Sequence, residues 1–276
     1  MKVIKSMPLF VLLILTVSLV PISPVSADNL DKWAVVVGVE GGGATHLDND
    51  AQDFANVLVS RYGYQSSRMQ LLLNGAATKS AVLGALDWLI SQETNESCVA
   101  VFFSCHGDYH KVFLSDAALA DTELAAKLTQ LETKKVVVVV VACRSGSFLD
   151  ISGSVPGGIL ITACTADEAT YDVENYQNTI FVYNFVDKGM AQGLADSNQD
   201  GNITVEEAFY YAEPRCHPLI KIVQDTHPQM VDNYTGEFNL TEPVHAPWFT
   251  SLPMALLATV SILSYQRRKK KQTVGL

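Results

Sequence analysis

Apolar runs alternate with amphipathic stretches along residues 33–193 of this chain. The runs predict strands, and the stretches with apolar residues repeating about every 3.6 residues predict helices. Val136–Val141 is an unbroken run of valine, a pattern typical of a strand that is buried on both faces and parallel to its neighbours. We therefore expect an α/β three-layer sandwich, with a mostly parallel central sheet and helices on both faces. The predicted strands are Trp33–Val39, Met69–Leu73, Cys98–Ser104, Val136–Ala142 and Gly158–Ala163, and the predicted helices are Asp50–Tyr62, Thr78–Ser91, Thr122–Leu131 and Thr179–Gly193.

The N-terminal segment has the pattern of a secretory signal peptide. Residues 1–27 begin with Lys2 and Lys5, continue with the apolar core Phe10–Val20 and end in the small residues of Val25–Ala27. Signal peptidase accepts that ending, so we expect cleavage after residue 27 and export of the chain. An uncleaved membrane anchor is the alternative.

The C-terminal segment has the pattern of a membrane anchor. Residues 247–265 are predicted to form a transmembrane helix, because Phe249–Tyr265 carries no charge and Arg267–Lys271 is a basic cluster. By the positive-inside rule, the tail 266–276 would be cytoplasmic and the domain 28–246 would face outside. The expected location is the cell surface, as a single-pass membrane protein. A buried C-terminal helix and a sorting tail that is cut and replaced by another anchor are the alternatives.

Charge and cysteine content narrow the class of protein. The net charge of −10 includes the cationic tail, so the exported domain is more acidic still; this argues against nucleic acid as a partner. Five cysteines leave at least one unpaired, and the short loops of a disulfide framework are absent. Cys98, Cys105 and Cys164 fall in or beside apolar strands and are predicted to be small buried hydrophobes.

Cys143 and His106 are the candidate catalytic pair. His106 follows the strand Cys98–Ser104, and Cys143 follows Val136–Ala142. Sites in open parallel sheets form beyond the carboxyl ends of the strands, so the two side chains would meet if these strands are neighbours. A thiolate at Cys143 would attack a carbonyl, with His106 as general acid and base. The alternatives are an inert buried thiol and a strand-end histidine bonded to backbone.

The developing oxyanion would need backbone donors. Gly107 permits close approach of the backbone beside His106, so its N–H and that of Cys143 are the candidates. Ser145 and Gly146 would supply the tight turn by which the chain leaves the strand end. Gly41–Gly43 is expected to be a flexible loop, since no phosphate-binding pattern continues into the next helix.

Four segments, in this order, resemble the caspase-like clan of cysteine peptidases, which includes caspases, metacaspases, legumains and gingipains. The resemblance covers roughly residues 33–235. It implies a caspase-like fold, a Cys143–His106 dyad and a peptide or protein substrate. The four segments are Leu47–Asp53 after the first strand, Ser104–Gly107 with the His-Gly motif, Ala142–Phe148 in a form similar to that of legumains, and Ile161–Glu168.

Two residues depart from the pattern of the clan. Cys105 replaces the usual glycine before the histidine. Val141 stands where metacaspases and legumains have an acidic residue of the primary specificity pocket, so basic or asparaginyl specificity does not carry over. Asp167, Glu168 and Glu40 are candidates for another acidic wall, although solvated loop acids are the simpler interpretation.

A second motif predicts a calcium site. The segment 196–207 matches the EF-hand loop pattern, with Gly201 at the sharp turn and Ile203 as the inward apolar residue. One loop without a visible partner suggests a structural or activating Ca²⁺ and not a sensor; a turn rich in Asp, Asn and Gly is the alternative. The expected ligands are Asp196, Asn198, Asp200, the carbonyl of Asn202, and Glu207.

Together these patterns predict an exported, membrane-anchored cysteine endopeptidase that Ca²⁺ stabilises or activates. No organic cofactor is expected. Asn95, Asn233 and Asn239 begin acceptor patterns for N-glycosylation. Two other functions stay open: a transpeptidase in which an amine resolves the same thioester, and a catalytically silent calcium-binding surface module.

Overall fold

A six-stranded sheet forms the middle layer of the computed structural model, which describes residues 31–43, 45–217 and 225–240. The strands lie in the order β11-β8-β7-β3-β1-β2, and all neighbours are parallel except the edge strand β11, which runs antiparallel to β8. The strands of the molecule are β1 (Lys32–Val39), β2 (Met69–Leu73), β3 (Cys98–Cys105), β4 (Gly107–Asp108), β5 (Lys111–Phe113), β6 (Ala118–Ala120), β7 (Lys135–Val141), β8 (Ile159–Thr162), β9 (Asp172–Val173), β10 (Asn178–Thr179) and β11 (Gln229–Asp232).

Helices cover both faces of this sheet. One face carries α1 (Leu47–Ser60), α4 (Ile180–Val182), which continues as a π-helix over Tyr183–Ala191, and α5 (Val205–Ala212). The other face carries α2 (Lys79–Gln92), α3 (Asp121–Leu128) and a 3₁₀-helix over Ser145–Ser154. The predicted three-layer α/β sandwich is therefore confirmed.

The central strands are buried because both of their faces are covered. Every residue of β3 is buried, and so are the six valines of β7. Successive residues contribute to opposite faces: Val36 packs with Phe54 of α1, whereas Val35 and Val37 belong to the cluster that includes Leu86 of α2. This explains why these strands are continuous apolar runs without alternation.

The predicted elements are present, with boundaries shifted by a few residues. Thr78 caps α2 as expected, since its side chain accepts a hydrogen bond from the Ala81 N–H at 3.1 Å. The helix predicted over Thr179–Gly193 is present, but most of it is π-helical, which the spacing of apolar residues does not distinguish from an α-helix. The sheet of β4, β5 and β6 and the β9–β10 hairpin were not predicted, because strands of two or three residues have no measurable periodicity.

Three predictions fall on residues outside the described ranges. These are the signal peptide 1–27, the transmembrane helix 247–265 and the tail 266–276. In the part of the chain that the structure describes, no helix has the length and apolar character needed to cross a bilayer.

Candidate active site

Cys143 and His106 line one cavity at the carboxyl edge of the sheet. Strands β3 and β7 are neighbours, with Ser104 opposite Val141, so the segments that follow them emerge side by side. The cavity has a volume of about 190 Å³. The structure thus brings together the two side chains that the sequence analysis paired. The lining residues are Gly43, Leu47, Cys105, His106, Cys143, Thr170, Tyr171, Asp172 and Thr179.

The His106 ring is oriented by the loop that follows β1. Its Nε2 lies 2.5 Å from the Gly41 carbonyl oxygen. A carbonyl oxygen only accepts, so Nε2 carries the proton and Nδ1 is the basic atom of the neutral ring. Gly42 has a φ of +58°, and a Cβ there would lie 3.1 Å from Nε2. Glycine is therefore required where the loop passes the imidazole.

The loop Gly41–Gly43 has a role that the sequence analysis missed. It orients the histidine through the Gly41 carbonyl oxygen and lines the cavity at Gly43. The three consecutive glycines were the available signal, since they permit positive φ angles.

Cys143 is presented by a tight turn. Arg144 adopts a left-handed conformation with φ of 59°, and its N–H donates to the Glu168 carbonyl oxygen at 2.8 Å. The buried Ser145 hydroxyl accepts from the Ala163 N–H at 3.1 Å, which attaches the turn to the end of β8. A Cβ at Gly146 would lie 2.4 Å from the Ala166 nitrogen, so glycine is needed where the turn packs against the segment after β8. The turn leaves the Cys143 thiol half-buried, where it donates to the Thr170 carbonyl oxygen at 3.4 Å.

The other four thiols are buried and unsuited to nucleophilic attack. All five cysteines are free, and only Cys143 is partly exposed. Burial raises the pKa of Cys105 and of Cys216 to about 12, and it raises the pKa of Cys98 and Cys164 as well. Because the thiolate is the nucleophile, these thiols stay inert near neutral pH. The prediction that Cys98, Cys105 and Cys164 are buried is confirmed.

Gly107 lies directly against the backbone of Cys143 and the side chain of Ala142. A Cβ on Gly107 would be 2.7 Å from both the Ala142 Cβ and the Cys143 carbonyl oxygen. Gly107 is paired with Val112, while the Phe113 N–H donates to the His106 carbonyl oxygen at 2.8 Å. In an antiparallel ladder, this pattern makes Gly107 and Val112 a non-hydrogen-bonded pair, so β5 does not use the Gly107 N–H.

The acidic residue that lines the cavity is Asp172. The sequence analysis considered three other acids as candidates for an acidic wall. Asp167 accepts a hydrogen bond from the Tyr109 hydroxyl, and the Glu168 carboxylate pairs with the His227 ring. Glu40 lies near Asp48. Asp172 belongs to the hairpin β9–β10, whose short strands gave no signal in the sequence. Asp167, Glu168 and Glu40 are not among the described residues that line this cavity.

The segment 196–207, which is predicted to bind calcium, forms a tight loop held by its own side chains. Gly201 has a φ of +87°, and Ile203 is buried. Asp196 accepts from the N–H groups of Asp200 and Gly201, and the Asn198 side-chain oxygen accepts from Asp200 at 2.9 Å.

The Glu207 carboxylate faces the same loop. It accepts from Ser197 and from the Thr204 N–H, and the Thr204 hydroxyl accepts from the Glu207 N–H in a capping box. Within the described ranges, no three His, Cys, Asp or Glu side chains are gathered into a metal cluster. The oxygens that accept these hydrogen bonds keep further lone pairs, and carboxylate and amide oxygens are the kind of ligand that Ca²⁺ takes.

The three candidate glycosylation residues lie at or near the surface. Asn95 and Asn233 are exposed, and Asn239 is partly exposed and forms a β-bridge with Thr204 of the loop.

A buried carboxylate beneath the site predicts a dependence of stability on pH. Asp50 accepts from the Ser104 hydroxyl at 2.7 Å and the Thr179 N–H at 2.9 Å, and burial raises its pKa from 3.8 to about 7. Between those two values the folded state binds more protons than the unfolded state, so the free energy of unfolding should fall as pH rises from about 4 to about 7. Burial also raises the pKa of Asp187 to about 6, so this carboxyl group adds to the decrease in the free energy of unfolding with pH.

In the variant Asp50→Asn, the free energy of unfolding should depend much less on pH. Denaturant unfolding measured from pH 4 to pH 8 would show this. The asparagine carbonyl oxygen keeps the bond from Thr179, and its amide donates to the Ser104 hydroxyl. Asp87→Asn changes an exposed carboxylate and should leave the dependence on pH as it is. An unchanged dependence on pH in Asp50→Asn would contradict the assignment.

Comparison with known proteins agrees with the fold described above. A family model described as the caspase domain matches residues 31–237. A Geobacter sulfurreducens protein superposes with a TM-score of 0.58 and 16% identity, covering 75% of this chain and 94% of that one. Caspase-1 from Spodoptera frugiperda superposes with a TM-score of 0.57 and 11% identity, covering 77% and 90%. At these identities the structural likeness concerns the fold alone, and no curated protein matches the chain. The family model spans well over half of the sequence, and the chain therefore belongs to the caspase domain family.

Proposed function

We propose that this protein is an exported, membrane-anchored cysteine endopeptidase that acts through a Cys143–His106 dyad. Members of the caspase domain family are cysteine peptidases. The observation that carries the proposal is the shared cavity, into which the partly exposed thiol and the histidine held by Gly41 both project. Export and anchoring rest on residues 1–27 and 247–276 of the sequence.

The proposed reaction begins with transfer of the Cys143 proton to Nδ1 of His106. The thiolate attacks the carbonyl carbon of the peptide, and the N–H groups of Gly107 and Cys143 hold the oxyanion. His106 then gives its proton to the leaving amine, which departs and leaves a thioester on Cys143. Water attacks the thioester and gives a proton to His106; the C–S bond then breaks, the carboxylic acid product leaves, and His106 returns the proton to the Cys143 sulfur.

A mixture of peptides incubated with the full chain tests this activity. Mass spectrometry of the products should show cleavage of internal peptide bonds, which defines an endopeptidase. Addition of an amine acceptor separates the competing reaction, because ligated products would indicate a transpeptidase. If no product forms and Cys143 reacts with peptidyl electrophiles no faster than free cysteine does, a silent binding module is the better description.

We further propose that the loop 196–207 binds Ca²⁺ and stabilises the end of the domain. Asp196, Asn198, Asp200, the Asn202 carbonyl and Glu207 would supply the oxygen ligands. The loop is attached to the domain through Val205, whose N–H donates to the Phe238 carbonyl oxygen at 2.9 Å. The Tyr62 hydroxyl also donates to the Ile203 carbonyl oxygen at 3.3 Å. Binding there would stabilise the contacts between α5, α1 and the segment 237–240.

Chelation should therefore lower the melting temperature of the protein. When Ca²⁺ exceeds its dissociation constant by about a hundredfold, we expect a shift of about 5 °C or more relative to the chelated protein. Glu207→Gln should abolish the shift, because glutamine retains the capping box but loses the bidentate carboxylate. Glu206→Gln is the matched control, since its carboxylate accepts from the Phe238 N–H outside the ligand set. A melting temperature independent of Ca²⁺ would remove the calcium proposal.

A further inference from the structure

One wall of the catalytic cavity carries a carboxylate with an unused oxygen. Of the described residues that line the cavity, Asp172 alone is acidic. Its Oδ2 accepts both bonds from Thr45, from the N–H at 3.3 Å and from the hydroxyl at 3.4 Å. The other oxygen, Oδ1, takes part in neither bond and is available to a ligand.

The charges around the cavity favour a cationic ligand. None of the described lining residues is a lysine or an arginine. The nearby Arg144 is directed away, since its guanidinium lies over the Tyr109 ring and bonds to Asp108 at 3.1 Å. An acidic side chain would therefore meet Asp172 without a compensating cation, whereas an apolar one would cover the carboxylate without pairing it.

We infer that Asp172 is the specificity-determining residue of the cavity, and that the cavity accepts the side chain of arginine immediately before the scissile bond. This inference rests on the proposed peptidase function. The guanidinium is a planar fork of five N–H donors whose geometry matches a carboxylate such as that of Asp172. Lysine carries a compact, more strongly hydrated ammonium on a flexible stem, so it is the expected second choice.

Matched peptidyl chloromethyl ketones test the inference on the full chain. Three probes would differ only in the residue beside the reactive group: arginine, its uncharged isostere citrulline, and aspartate. The rate of Cys143 alkylation, followed by mass spectrometry, should be at least about 30-fold higher for the arginine probe than for the citrulline probe. The aspartate probe should be the slowest, because its carboxylate lies against Asp172.

Variants of two acids in the same region provide the control. Asp172→Asn should lower the rate of alkylation by the arginine probe to about that of the citrulline probe, so that the preference is lost. Asp167→Asn makes the same chemical exchange at a carboxylate bonded to Tyr109 outside the cavity, and it should retain the preference. Thr45→Val removes one partner of Asp172 without changing its charge and should also retain it.

The outcomes separate this inference from the proposed function. Alkylation of Cys143 without preference for the arginine probe, or a preference that survives Asp172→Asn, overturns the role of Asp172 and leaves the peptidase proposal standing. Failure of every probe to alkylate Cys143 overturns both, because no peptide then binds beside the thiol.

Discussion

Replacing Cys143 by alanine is expected to abolish peptide cleavage, and replacing His106 by alanine is expected to lower kcat/KM by at least about 100-fold. Cys143 is the partly exposed thiol of the described cavity, and the Gly41 carbonyl oxygen fixes the His106 ring with Nδ1 as the basic atom. Without the thiol no thioester forms, and without the imidazole neither the nucleophile nor the leaving amine exchanges its proton efficiently.

Cys105→Ala is the control for this experiment. Its thiol also lines the cavity, but burial raises its pKa to about 12, so it should contribute no nucleophile. Circular dichroism and melting temperature should match the wild type for Cys143→Ala, because alanine removes one partly exposed atom. Cleavage that persists in Cys143→Ala would refute the assignment of the nucleophile.

Replacing Gly107 by alanine is expected to lower kcat/KM by at least about 100-fold while the chain still folds. The added Cβ would lie 2.7 Å from the Cys143 carbonyl oxygen and from the Ala142 Cβ, closer than nonbonded atoms normally approach. The backbone of Gly107 or of Cys143 must therefore shift. Either movement displaces an N–H donor of the proposed oxyanion site, so the effect should fall on kcat more than on KM.

Gly84→Ala is the matched control for Gly107→Ala. Gly84 is exposed in helix α2, and a Cβ there meets no atom within 4 Å. The same exchange should leave kcat/KM unchanged and stabilise the protein slightly, because alanine favours the helix. Equal activity of Gly107→Ala and Gly84→Ala would contradict the proposed oxyanion site.

The sheet and the placing of Cys143 and His106 at one cavity were predictable because both depend on strong local patterns. A run of valines has few alternatives to a strand buried on both faces, so β7 was placed within one residue at each end. The positions of His106 and Cys143 follow from parallel strands, whose carboxyl ends meet at one edge of the sheet. Their pairing therefore required no knowledge of side-chain contacts.

The features that were not predicted depend on contacts between distant segments. The Gly41 carbonyl oxygen contacts His106 only because the loop after β1 folds over the end of β3. Asp172 reaches the cavity from a hairpin of two-residue strands, and its bonds to Thr45 join segments far apart in the sequence. Backbone carbonyl groups and short hairpins leave no periodic pattern, so these parts of the site required coordinates.

Modification of the full chain by a peptidyl electrophile, mapped by mass spectrometry, tests the central proposal most directly. We expect a single adduct on Cys143, formed much faster than by a thiol-reactive probe without a peptide, and slowed strongly in His106→Ala. The result that would contradict the account is modification of Cys143 at the same rate with and without His106, or modification of another cysteine instead.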